Sequence, residues 1–128
     1  MTYSYRKEVE MSFEQALERV TEELQKEGFG VLTEIDVQAT LKKKLNVDRK
    51  KYMILGACNP PLAHKALQSD PEIGVLLPCN VLVYETEDGK IIVSAVDAQV
   101  MFQVVGDERV QPIAAEVNNR LKTVINNI

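Results

Sequence analysis

No stretch of the chain approaches 18 uninterrupted apolar residues, so nothing reads as a transmembrane helix and no membrane partner is expected. Cysteine is scarce. Cys58 and Cys79 are the only two, too few for a disulfide framework in 128 residues. The opening residues, MTYSYRKEVE, lack the apolar core of a secretory signal. Together these features lead to the expectation of a cytoplasmic protein with reduced thiols. Histidine occurs once, as His64, which leaves a mixed cysteine and histidine metal site with a single imidazole. The motifs GxxxxGKS or GxxxxGKT, GxGxxG, GxSxG and HExxH are all absent, so nucleotide hydrolysis, dinucleotide binding, serine hydrolase chemistry and zinc proteolysis have no support. No cofactor is implied and no catalytic residue can be named. Linkers, repeats and low-complexity segments are missing too, and residues 1–128 read as one domain.

A surplus of positive charge is also lacking. Fifteen Lys and Arg stand against nineteen Asp and Glu, a net charge of −4. A nucleic-acid binder needs a basic face to neutralise phosphates. The basic residues cluster only at Lys42–Lys44 and Arg49–Lys51, with no aromatic stripe beside them in sequence. They read as a solvated surface, and no nucleic-acid partner is expected.

What the chain does have is 45% hydrophobic and 27% charged residues, the proportions of a globular domain with a real core. Residues 3–9 alternate as a first strand. Ser12 and Gln15 form a capping-box pattern ahead of Phe13, Ala16, Leu17, Val20 and Leu24, one apolar stripe at helical spacing. Gly28 is the natural stop. Residues 31–37 alternate again, which puts Val31, Ile35 and Val37 toward a core and Glu34 and Asp36 toward water. Such a carboxylate pair could share acid and base work or bind a hard cation. The wet face of a strand explains it more simply. A weak helix follows over 38–45. Residues 52–58 are almost continuously apolar, as in a strand buried on both faces.

Asn59 then caps a short helix with Pro60 at its first position, and Asp70-Pro71 ends it. A strand starts near Cys79, turns at Glu87-Asp88-Gly89-Lys90 and returns antiparallel over 90–96. Asp97 suits a turn or cap, and 97–105 is ambiguous. Val110, Ile113, Ala114, Val117, Leu121, Val124, Ile125 and Ile128 space a terminal helix, which Asp107 could cap unless Pro112 delays its start. The order β-α-β-(α)-β-α-β-β-α predicts a two-layer α+β fold, with helices on one face of a largely antiparallel sheet.

Chemistry concentrates between residues 52 and 84. Cys58-Asn59 closes one strand and Cys79-Asn80 opens another. Antiparallel neighbours would bring both pairs to one sheet edge, beside a helix start that offers free N–H groups to an anion or thiolate. Cys58, Asn59, Pro60, Cys79 and Asn80 are therefore the candidate ligand-binding residues, for a small molecule or anion. Several alternatives stay open. The cysteines could be small buried hydrophobes and the asparagines turn residues. One thiol could be a redox or nucleophilic group. Cys58, His64 and Cys79 could hold a metal, although His64 falls near the polar border of its helix.

The runs Tyr52-Met53-Ile54-Leu55-Gly56-Ala57-Cys58-Asn59-Pro60 and Ile73-Gly74-Val75-Leu76-Leu77-Pro78-Cys79-Asn80-Val81, with Leu62-Ala63 and Ala66-Leu67 between them, resemble signatures of the bacterial and archaeal family catalogued as domain of unknown function 302. The resemblance implies a TATA-binding-protein-like α+β fold, with helices on a curved antiparallel sheet, and a homodimer. It implies no activity and transfers no catalytic residue. Fold likeness to a DNA binder does not fix function. The combined expectation is a homodimeric, non-enzymatic module for a small ligand or anion. A structural or protein-interaction module and a thiol-dependent sensor or enzyme are the alternatives.

Overall fold

The computed structural model describes residues 2–128. Five strands form one antiparallel sheet in the order β1-β5-β4-β3-β2. They are β1 (Ser4–Val9), β2 (Gly30–Asp36), β3 (Tyr52–Cys58), β4 (Cys79–Glu85) and β5 (Ile91–Val96). The helices are α1 (Phe13–Lys26), α2 (Val37–Leu45), α3 (Pro60–Ser69), α4 (Ala98–Phe102) and α5 (Gln111–Asn126). Short 3-10 turns at Pro71–Leu76 and Gln103–Val105 complete the chain. The architecture is the α+β class expected.

Local chemistry explains most boundaries. Ser12 and Gln15 make the full capping box of α1. Ala16, Val20 and Leu24 bury their stripe against the sheet, and Gly28 leaves the helix at φ +84°, where a side chain would be strained. Asp97 caps α4 through the Val100 N–H. Asp107 does not cap α5. It opens a turn that closes on the Val110 N–H, and the helix begins at Gln111 with Pro112 in its first turn. Residues 71–76 coil into a 3-10 turn after Asp70.

The largest departure is β2. Its pairing with β3 slips between Val31 and Thr33, so Leu32 is an extra residue in the ladder. One extra residue inverts the alternation beyond it. Ile35 therefore pairs with Ile54 on the side away from the helices and is 47% exposed, instead of facing the core. Val37 leaves the strand and starts α2. Asp36 is spent on capping α2 through the Ala39 N–H, and Glu34 is exposed. The carboxylate pair forms no joint site.

α1 and α5 cover one face of the sheet, meeting Val81, Val83, Val93 and Ala95 of the two strands at its centre. At the β5–α4 corner the core encloses a polar cluster. Asn118, 1% exposed, accepts from the Ala98 N–H at 2.6 Å and donates to Asp97, Gln99 and the Tyr5 hydroxyl. α1 and α5 do not cover the opposite face, which carries Ile54, Leu82, Tyr84 and Ile92 by register.

Candidate functional site

The ladder between β3 and β4 brings the two Cys-Asn pairs to one end of the sheet. Ala57 stands opposite Cys79, and Gly56 opposite Asn80. The pleat then divides them. Cys79 shares the helix-facing side with Ala57 and is buried in the core. Asn80 is exposed on the uncovered side. Cys58, the last residue of β3, is half-buried and lines the same pocket as Cys79. Burial, and then the neighbouring Cys58, push the Cys79 thiol from 9.0 up to about 11.

Asn59 is 5% exposed, and both ends of its amide are bonded within the chain. Its Oδ1 accepts from the Leu62 N–H and its Nδ2 donates to the Glu27 carbonyl, both at 3.4 Å. The same carbonyl accepts from Arg120 at 3.0 Å. Asn59 thus ties the start of α3 to the end of α1. A Cβ on Gly28 would come within 3.1 Å of its amide nitrogen, so the turn after α1 is shaped around it.

The start of α3 offers nothing to an anion. Pro60 and Pro61 have no N–H. The Leu62 N–H is held by the Asn59 side chain and the Ala63 N–H by the Asn59 carbonyl. The pocket at this corner is lined by Cys58, Asn59 and Cys79 together with Ala57, Leu62 and Phe102, and has a volume of about 20 Å³. That is space for about one water among mostly apolar atoms. His64 is exposed on α3, and among the described residues no three His, Cys, Asp or Glu side chains gather as metal ligands. The Cys58–His64–Cys79 alternative is therefore not assembled.

The uncovered face carries features that the linear motif search missed. Tyr52 and Tyr84 stack with ring centroids 5.2 Å apart, and the Arg49 guanidinium lies 4.9 Å above the Tyr52 ring. The basic cluster thus has aromatic neighbours, which only strand pairing supplies. Its charge is partly neutralised, with Lys42 on Asp48 and Lys51 on Glu14. Ile54, Leu82, Ile92 and Val96 fill the face beside the tyrosines. Ser4, Arg6, Glu8, Thr33 and Asn80 surround them with polar groups. The signal was present in sequence as the almost unbroken apolar run of β3, which asks for cover on both faces.

The family model described as "Domain of unknown function DUF302" matches residues 5–128. A crystal structure of an uncharacterized conserved DUF302 protein from Bacillus stearothermophilus is similar, with a TM-score of 0.91 and 28% sequence identity over 98% of each chain. No curated protein matches the chain.

Proposed function

The chain belongs to the family described as domain of unknown function DUF302, and from that premise, which gives a fold and no activity, we propose that it is a non-enzymatic interaction module that forms a homodimer through the uncovered face of its sheet. One observation carries this reading. An antiparallel sheet with a wet face alternates apolar and polar residues. Here the positions of the three central strands turned away from α1 and α5 include Ile54, Leu82, Val96 and the Tyr52–Tyr84 stack, all half-buried, and Ile92, which its neighbours leave 3% exposed. An apolar, aromatic centre with a polar rim is the anatomy of a protein interface.

The dimensions suit a second copy. Five strands about 4.8 Å apart and six to seven residues long span roughly 500 Å². Two such faces bury about 1,000 Å² before side-chain relief is counted, the lower limit for a specific interface. The β2 edge is a poorer place to pair, because the Leu32 bulge interrupts it.

The small-ligand or anion reading of Cys58, Asn59 and Pro60 has less support. The cavity there is too small for an organic ligand, and the first turn of α3 has no free donor. A reactive thiol at Cys79 is opposed by its burial and raised pKa.

Sedimentation velocity at micromolar concentration tests the homodimer. The parent protein sediments with twice the chain mass. Ile54→Lys sediments as a monomer with an unchanged circular dichroism spectrum, since Ile54 is half-buried and outside the core cluster. A monomeric parent, or an Ile54→Lys variant that remains a dimer, removes this interface.

A further inference from the structure

We propose that the C-terminal end of α2 docks this protein on an anionic lipid surface. Residues 42–51 carry six Lys and Arg against one Asp, whereas the remaining residues carry nine Lys and Arg against eighteen Asp and Glu. An acidic chain thus holds one strongly basic stretch. Charge asymmetry of this kind marks contact with a polyanion.

The fold leaves most of these cations available. Lys42 pairs with Asp48 and Lys51 with Glu14. Lys43, Lys44, Arg49 and Lys50 are exposed and enter no ion pair among the described residues. Arg49 rests on the Tyr52 ring, and Glu85 and Glu87 border Arg49, Lys50 and Lys51 and offset part of their charge. Lys43 and Lys44 therefore lead the electrostatic contact.

Leu45 and Val47 decide the kind of polyanion. They stand between the two basic runs and are 66% and 46% exposed. α2 packs on β2 and β3, yet none of its residues is buried. Asn46 turns the chain at φ +53°, and the Val47 N–H returns to the Leu41 carbonyl at 3.4 Å. The two apolar side chains are thus carried on a closed helix end and not on a loose loop. Aliphatic groups gain little from a nucleic-acid backbone, where cations supply the binding. At a lipid headgroup boundary they leave water while the neighbouring lysines reach the phosphates. Lying on a surface needs no spanning helix, and no helix among the described residues is long and apolar enough to cross a membrane. The acidic remainder of the chain is repelled by the same surface, so this end faces it.

The patch is complete in one chain and none of Lys43, Lys44, Leu45, Val47 and Lys50 lies in a strand, so the inference does not rest on the homodimer. Flotation of the parent protein with vesicles at about 0.1 M salt tests it. The protein floats with phosphatidylcholine vesicles that contain phosphatidylserine and not with phosphatidylcholine alone. Binding is lost at about 1 M salt, where the Debye length is about 3 Å. Each lysine near an anionic surface strengthens binding about fivefold, so the double variant Lys43→Gln, Lys44→Gln binds about 25-fold more weakly. Leu45→Ser weakens binding about tenfold. All three positions are exposed, and circular dichroism of both variants matches the parent. The inference is overturned if the parent floats with neither vesicle or equally with both, or if either variant binds as tightly as the parent. It is also overturned if a short DNA duplex displaces the parent from the vesicles, which assigns the patch to nucleic acid.

Discussion

Alkylation by iodoacetamide at pH 8 separates a structural thiol from a reactive one. Peptide mapping follows Cys79 apart from Cys58 in the parent protein. Burial and the nearby Cys58 push the Cys79 thiol from 9.0 up to about 11. At pH 8 an ordinary thiol is about one-tenth thiolate, whereas Cys79 is about one-thousandth thiolate, and only the thiolate reacts. Cys79 in folded protein should be alkylated about 100-fold more slowly than in protein unfolded in guanidinium, before steric shielding adds to the difference. Mass spectrometry of the Cys79 peptide against time reads both rates. A folded rate within tenfold of the unfolded one would refute this account of Cys79.

The same thiol makes stability depend on pH. Below pH 9.0 both states hold the proton, and the contribution is fully present. Between pH 9.0 and about 11 the unfolded thiol ionises and the folded one does not, so stability falls as pH rises. At about 1.4 kcal/mol per pH step, the loss is on the order of 3 kcal/mol. Lysines and tyrosines titrate in the same range, so the measurement is the difference between the parent and Cys79→Ala. Urea melts from pH 8 upward should show the parent losing more stability than the variant.

Three further outcomes follow from the packing. Asn59→Ala removes a helix cap and the bond to Glu27, a loss of about 1–2 kcal/mol. At about 2.1 cal/mol/K per residue this lowers Tm by roughly 4–7 °C in calorimetry, and an unchanged Tm would leave Asn59 without its structural role. Gly56→Ala places a Cβ against the Thr33 hydroxyl and 2.8 Å from Pro78 Cγ, so it should cost about 1–3 kcal/mol in a urea melt. Thr33→Ala should recover part of that cost, and equal losses in both backgrounds would contradict the contact. Asn118→Ala strands the buried Ala98 N–H and should lower stability by about 2–3 kcal/mol. A smaller change in the urea midpoint would mean that water replaces the amide.

Several helix starts and the order of elements along the chain were legible because local chemistry decides them. Ser12 with Gln15, Asn59 with Pro60, and Asp97 each satisfy orphan N–H groups within three residues of themselves. The orientation of Ile35 was not legible. The slip at Leu32 depends on pairing with β3, and period-two alternation has no means of registering an extra residue. The two Cys-Asn pairs do meet at one end of the sheet, but sequence treats each pair as a unit while the pleat sends Cys79 and Asn80 to opposite faces. The Tyr52–Tyr84 stack arises only when distant strands become neighbours. No local pattern announces it.

The bulge at Leu32 also limits how copies of this protein can accumulate. A straight free edge is a template on which further strands add without end, as in a fibril. The extra residue breaks the even spacing of N–H and C=O groups along β2, and Glu34 and Asp36 add like charges to the same edge. Growth of the sheet past the β2 edge is therefore disfavoured. In the proposed homodimer, stacking face on face is a self-complementary contact, which closes after two copies instead of growing into a polymer.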